Sequence, residues 1–266
     1  MTQPNLLIAG AQKSGTSWLH AMLAHHPDIA MSQPKELGYF DRSPADFESD
    51  WDDYLAHWSG ADGAKRWRGE STPHYFWKRQ GAFAPAVPHD AATRVHERLG
   101  DDVTVIVALR DPVSRAVSGY WHNFSHGRFD LTTSLFRLPP AMGIIDLGFY
   151  RRHHEHWASV LGAERINVLL YDDLVTSPRG FLTDALRIIG ASPDARGFAP
   201  PVDDVVHTKR WLNPFKKRTP IEPVEVAALF DLYRDDIAFV EELTGRDLPA
   251  WRDLDGLIAA HCGRSA

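Results

Sequence analysis

The stretch NLLIAGAQKSGTSWLHAML, residues 5–23, decides the fold. Its apolar run, Leu6 through Ala9, enters a loop of Gly, Lys, Ser and Thr, and the loop opens directly into a helical pattern. Such a strand–loop–helix corner turns backbone N–H groups and a helix N-terminus toward one point, where an anion is held. The stretch therefore reads as a phosphate cradle, with Lys13, Ser14, Gly15, Thr16, Ser17 and Trp18 as candidate contacts.

The spacing is Gly10-x-x-Lys13-x-Gly15-Thr16. In the usual nucleotide P-loop, Gly-x4-Gly-Lys-Ser/Thr, the lysine follows the second glycine; here it precedes it. The displaced lysine points to a P-loop relative adapted to another donor nucleotide.

Working outward, the run VTVIVAL at 103–109 is apolar and β-branched throughout, as a strand buried on both faces of a parallel sheet requires. INVLLY at 166–171 reads the same way. Between them Leu147, Tyr150, His154, Trp157 and Leu161 recur at spacings of 3, 4, 3 and 4, which predicts an amphipathic helix. Leu182, Leu186 and Ile189 mark another, with Pro178 near its start, and Val226, Leu229, Tyr233, Ile237 and Val240 a third. Strands alternating with helices predict an α/β fold of the P-loop NTPase-like kind. Its central parallel sheet has about five strands flanked by helices, and 1–266 form a single domain. Three segments resist the pattern: 41–66, 81–92 and 124–145. Long connections in α/β enzymes often build the substrate cleft, and they equally decorate surfaces.

The bulk numbers narrow the function. The 266 residues are 44% apolar and 24% charged, the balance of an ordinary globular enzyme. A net charge of −6 argues against general nucleic-acid affinity. A lone Cys262 excludes an internal disulfide framework and a multi-cysteine metal site. The first strand begins within a few residues of Met1, so no signal peptide is expected, and no apolar run approaches the roughly 20 residues of a membrane span. The expectation is a cytoplasmic protein, monomer or homodimer.

A second motif starts where the buried run ends: Arg110-Asp111-Pro112-Val113-Ser114-Arg115-Ala116-Val117-Ser118. Ligands of open α/β sheets bind at the carboxyl ends of strands, where Arg110 falls. Ser118 lies eight residues on, about two helical turns along a following helix. An arginine fork and a hydroxyl together suit one further phosphate.

The two motifs together resemble the sulfotransferases that use 3′-phosphoadenosine-5′-phosphosulfate (PAPS). GAQKSGTSWL resembles their 5′-phosphosulfate loop, and Arg110 through Ser118 their 3′-phosphate motif. PKELGYFD at 34–41 and GESTPHYF at 69–76 are similar to segments of the branch that acts on glycosaminoglycans and of its bacterial relatives. LLYDDL at 169–174 resembles the family's fourth-strand exit, so the likeness spans about residues 5–190 in order.

The resemblance implies in-line transfer of a sulfuryl group from PAPS to a hydroxyl of a carbohydrate or small molecule, releasing adenosine 3′,5′-bisphosphate, with no metal demanded. Lys13 is implied as the cation on the leaving phosphate. Ser14, Gly15, Thr16, Ser17 and Trp18 would hold the 5′-phosphate, Arg110 and Ser118 the 3′-phosphate, and Glu36 would be the general base. Lys209 and Arg210 match a late basic loop over the nucleotide. Where the glycosaminoglycan branch often carries lysine after the glutamate of the second segment, this chain has Ser71, which argues against a long anionic sugar as acceptor. Aryl and steroid sulfotransferases use a histidine base, so His74, with His122 and His126 nearby, stands as the alternative to Glu36. Trp51, Tyr54, Trp58, Trp67, Phe76 and Trp77 either stack on an acceptor or fill the core. Two competing readings remain: a P-loop kinase or NTPase with Asp111 holding Mg²⁺, and a non-catalytic nucleotide-binding protein of the same fold.

Overall fold

The computed structural model describes residues 3–60, 65–79, 90–130, 132–203 and 221–262. In chain order the elements are β1 (Leu6–Gly10), α1 (Thr16–Leu23), β2 (Ile29–Met31), α2 (Pro44–Ser49), α3 (Trp51–Ala56), β3 (Trp67–Ser71), α4 (Ala91–Leu99), β4 (Thr104–Leu109), α5 (Pro112–Ser125), α6 (Tyr150–Leu161), β5 (Ile166–Leu170), α7 (Tyr171–Thr176), α8 (Pro178–Ile189), α9 (Pro223–Thr244), α10 (Pro249–Arg252) and α11 (Leu254–His261). They fall into two compact units. The first comprises Met1–Leu109 and His153–His207, the second Arg110–Arg152 and Thr208–Ala266.

The first unit holds a five-stranded sheet in the order β2-β3-β1-β4-β5, with every pairing parallel. β1 sits at its centre and is buried along its whole length. Leu6 and Ile8 on one face join Trp18, Leu19 and Met22 of α1 and Phe181, Leu182 and Leu186 of α8 in one apolar cluster. Sheets of this kind bind ligands at the carboxyl ends of the strands, and β1 delivers the 10–16 loop there.

β2 and β3 supply two strands that the apolar pattern misses. β2 has three residues, and β3 reads Trp-Arg-Gly-Glu-Ser, with Arg68 and Glu70 buried where a strand beside the sheet's centre is covered. The segment expected at a fourth-strand exit therefore leaves the fifth strand. The helix predicted from Leu147 begins at Tyr150, because Leu147 belongs to a separate 3₁₀ turn ending in Gly148. The irregular 41–66 contains two short helices. The first is capped by Ser43, whose hydroxyl accepts the Asp46 N–H.

The second unit is built from helices. Asp111 caps α5, accepting the N–H groups of Val113 at 3.3 Å and Ser114 at 2.7 Å, with Pro112 inside the first turn. Leu135, Leu138 and Ile144 of the irregular 124–145 are buried, while Phe136 is exposed.

Candidate active site

The loop after β1 is fixed from both neighbours of the strand. The Ala11 N–H donates to the Ala108 carbonyl of β4 at 2.8 Å, and the Phe76 N–H donates to the Ala9 carbonyl at 2.9 Å. Lys13 and Gly15 lie in the left-handed region, with φ of 72° and 87°. For Lys13 that backbone costs on the order of 1–2 kcal/mol, a cost sustained by the surrounding bonds. A side chain at Gly15 would be strained by the same backbone and would collide with Leu174 of α7. Segment 169–174 thus packs directly on the loop.

Thr16, Ser17 and Trp18 form the first turn of α1, whose N–H groups have no intrahelical acceptor. The Trp18 ring lies in the core against Phe181 at 6.1 Å between centroids, so what it offers a ligand is its backbone N–H. Ser14 is fully buried. Among the described residues, Ser14 Oγ and Gln12 Oε1 are buried without a hydrogen-bond partner, as are Ser32 Oγ beyond β2 and Ser71 Oγ at the end of β3. β2, β3 and β1 are adjacent and parallel, so these orphaned atoms stand at the same edge of the sheet. Buried polar atoms cost free energy when unpaired, and a polar anionic ligand at this edge supplies their partners.

His20 of α1 joins this group. It is buried, and its ring nitrogens sit beside the Ser32 backbone without reaching a good hydrogen bond. Burial, reinforced by Lys35, pushes it down to about 4 despite the opposing pull of Glu36, so its ring is neutral at pH 7.

The expected bases lie in two segments beyond β2 and β3. Glu36 has φ 67°, is 47% exposed at its side chain and pairs with Lys35. His74 is half-buried, and Gln12 Nε2 lies 3.2 Å from its Nε2, which ties it to the phosphate loop. His126 is exposed near the end of α5, where its Nδ1 donates to the His122 carbonyl at 2.7 Å.

Between these segments lies a residue that sequence reasoning passed over. Glu70 is fully buried. Tyr54 and Tyr75 hydroxyls donate to its Oε1 at 2.8 and 3.0 Å, and the Thr72 hydroxyl to its Oε2 at 3.0 Å. The Leu37 backbone also faces it and favours the charged form. Burial nevertheless pushes its carboxyl up to about 7. The only signal available in the sequence was an acid flanked by Gly69 and Ser71 inside a matched segment.

In the second unit Arg110 is half-buried and its carbonyl accepts the Tyr150 hydroxyl at 2.7 Å; Ser118 is buried on α5. Asp111 spends its carboxylate on the α5 cap, and burial raises its pKa. A buried capping carboxylate is a poor Mg²⁺ ligand, which weakens the kinase reading. Lys209 and Arg210 lie outside the described residues. Of the candidate stacking aromatics, Tyr54, Trp58, Phe76 and Trp77 are buried core, and Trp51 and Trp67 are half-buried.

The sequence profile described as "Sulfotransferase family" matches residues 4–194. This chain belongs to that family. Human heparan sulfate glucosamine 3-O-sulfotransferase 3B1 is 31% identical over 201 residues, which cover 70% of this chain and 46% of that protein. Bovine bifunctional heparan sulfate N-deacetylase/N-sulfotransferase 2 is 24% identical over 209 residues, 71% of this chain and 22% of that protein. The chain therefore spans less than half the length of these curated relatives. A sulfotransferase from Alicyclobacillus acidocaldarius superposes with a TM-score of 0.72 at 25% identity, covering 95% of this chain and 100% of its own. The sulfotransferase domain of the curacin biosynthetic pathway shares the fold at a TM-score of 0.52 and 15% identity, over 72% of this chain and 76% of its own.

Proposed function

We propose that the protein transfers a sulfuryl group from PAPS to a hydroxyl of a carbohydrate or small-molecule acceptor. The observation that carries the reading is the loop at the carboxyl end of β1, with Lys13 held in the left-handed region and buried Ser14 and Gln12 atoms lacking partners, in a chain of the sulfotransferase family. These residues fit a 5′-phosphosulfate: donors converge, a cation stands among them, and the first turn of α1 adds N–H groups.

When bound, PAPS supplies the sulfuryl group on a good leaving phosphate. Lys13 holds its ammonium on the oxygen that gains charge as the S–O bond breaks. That contact strengthens toward the transition state, as catalysis requires. Ser14, Gly15, Thr16, Ser17 and the Trp18 N–H orient the 5′-phosphate. Arg110 and Ser118 take the 3′-phosphate. Glu36 accepts the proton of the acceptor hydroxyl; its exposure suits a group that must meet an incoming substrate.

The relatives named for heparan sulfate support a carbohydrate hydroxyl. Ser71 and the net charge of −6 favour a short or weakly charged acceptor over a polyanionic chain.

Calorimetric titration with adenosine 3′,5′-bisphosphate, against AMP and ATP–Mg²⁺, tests the donor site. Binding that depends on the 3′-phosphate is expected. Preference for ATP–Mg²⁺ overturns the reading in favour of a kinase, and bisphosphate binding without turnover of PAPS favours a non-catalytic nucleotide-binding protein.

A further inference from the structure

We infer that Glu70 is a positioning residue that fixes the loop carrying Glu36. The inference rests on the reading of Glu36 as the base and adds what sets that base in place.

The chain at 36–38 forms no regular element, and Tyr39–Asp41 make a single 3₁₀ turn. Glu36 and Gly38 both lie in the left-handed region, with φ of 67° and 63°, so the loop cannot be held by a regular ladder. Its N–H groups turn instead toward the end of β3. The Leu37 backbone faces Glu70 and favours its charged form. The Gly38 N–H donates to Thr72 Oγ1 at 3.2 Å, and that hydroxyl donates on to Glu70. The Phe40 N–H donates to the Tyr75 hydroxyl at 3.3 Å, which also donates on to Glu70. Two amides of one short loop thus end, each through one hydroxyl, on a single carboxylate.

The direction of these bonds makes Glu70 the keystone. A hydroxyl that accepts from a backbone amide must send its own proton elsewhere, and here both send it to Glu70. Remove the carboxylate and Thr72 and Tyr75 lose the acceptor that orients them. Tyr54 supplies the remaining donor from α3. The far end of the loop is held separately, by Arg94 donating to the Phe40 and Arg42 carbonyls at 3.1 and 2.6 Å. Glu70 is fully buried and surrounded by its own donors, so it does not meet the acceptor; its effect passes through Glu36.

The test has two arms. Amide exchange of Gly38 and Phe40, followed by mass spectrometry, needs no acceptor. Glu70→Gln and Thr72→Val are expected to speed exchange there about tenfold or more, as loss of a hydrogen bond does, with 5–23 unchanged. Thr72→Ser keeps the hydroxyl and is expected to exchange like the native protein. The second arm measures release of adenosine 3′,5′-bisphosphate from PAPS with 4-nitrophenyl glucosaminide as acceptor. Glu70→Gln is expected to lower kcat about 10²-fold, the penalty of a misplaced group, with KM for PAPS unchanged. Glu36→Gln/Glu70→Gln is expected to be no slower than Glu36→Gln alone, because one acts through the other.

Unaltered exchange in both Glu70→Gln and Thr72→Val overturns the inference, and so does a loosened loop with native kcat. Should Glu70→Gln fail to fold, Thr72→Val carries the same predictions. A different result marks failure of the underlying reading: native turnover in Glu36→Gln, with exchange in Glu70→Gln still raised, removes Glu36 as base while leaving the loop's anchor intact.

Discussion

Gln12 Nε2 lies 3.2 Å from His74 Nε2, so the phosphate loop and the segment after β3 are joined through one side-chain contact. The amide nitrogen is a donor, which makes the ring nitrogen the acceptor and puts the His74 proton on Nδ1. The lone pair a base would use is occupied. His74→Ala is therefore expected to lower kcat by less than about tenfold, whereas Glu36→Gln lowers it by about 10²–10⁴, the usual contribution of a positioned base. Steady-state kinetics of the two variants side by side decide the matter; a greater loss in His74→Ala would make the histidine the base.

Lys13 combines a chemical role with an unfavourable backbone. Lys13→Ala is expected to reduce kcat about 10²–10³-fold, as loss of a donor at developing charge does elsewhere. Its φ of 72° separates chemistry from stability. Lys13→Gly is expected to lose as much activity while being about 1 kcal/mol more stable than Lys13→Ala, since glycine adopts this backbone without the Cβ clash. Thermal melts of the two variants check the difference.

What the sequence made legible follows from how each segment is buried. β1 and β4 are covered on both faces and announce themselves as apolar runs, as does most of β5 at the sheet's edge; the phosphate loop between β1 and α1 is equally plain from its glycines and lysine. β2 is too short to show a pattern. β3 hides because it buries Arg68 and Glu70, residue types that ordinarily mark solvent. For the same reason Glu70 could not be singled out: its hydroxyl partners come from Tyr54, Thr72 and Tyr75, and only the fold brings Tyr54 to them. The aromatics were ambiguous because a ring that stacks on a ligand and a ring that fills a core have the same composition, and burial assigns most of these to the core.

Arg110 is expected to act on donor affinity rather than on the chemical step. Arg110→Ala should weaken adenosine 3′,5′-bisphosphate about 10–10²-fold, the worth of a charge-assisted hydrogen bond, and leave AMP affinity nearly unchanged. Parallel titrations read this out. An equal loss for both ligands would remove Arg110 from the 3′-phosphate.

Glu70 also gives stability a pH dependence with a defined sign. Its carboxyl is raised from the ordinary 4.5 to about 7 in the folded protein, by burial first, against the opposing hydrogen bonds of Tyr54, Tyr75 and Thr72 and the pull of the Leu37 backbone. The unfolded chain therefore releases this proton at lower pH than the folded one. Stability from Glu70 is full below pH 4.5 and is lost as pH rises through about 7, by up to about 3 kcal/mol over that window. Asp41, raised to about 6 by burial, acts in the same direction and interacts with Tyr75, so the native pH curve alone does not isolate Glu70. The difference between native protein and Glu70→Gln does, because Asp41 remains in both. Urea unfolding of the two proteins between pH 4.5 and 8 should give a gap that shifts in favour of Glu70→Gln as pH rises. A gap independent of pH would mean that Glu70 keeps an ordinary carboxylate pKa, its hydroxyl donors balancing its burial.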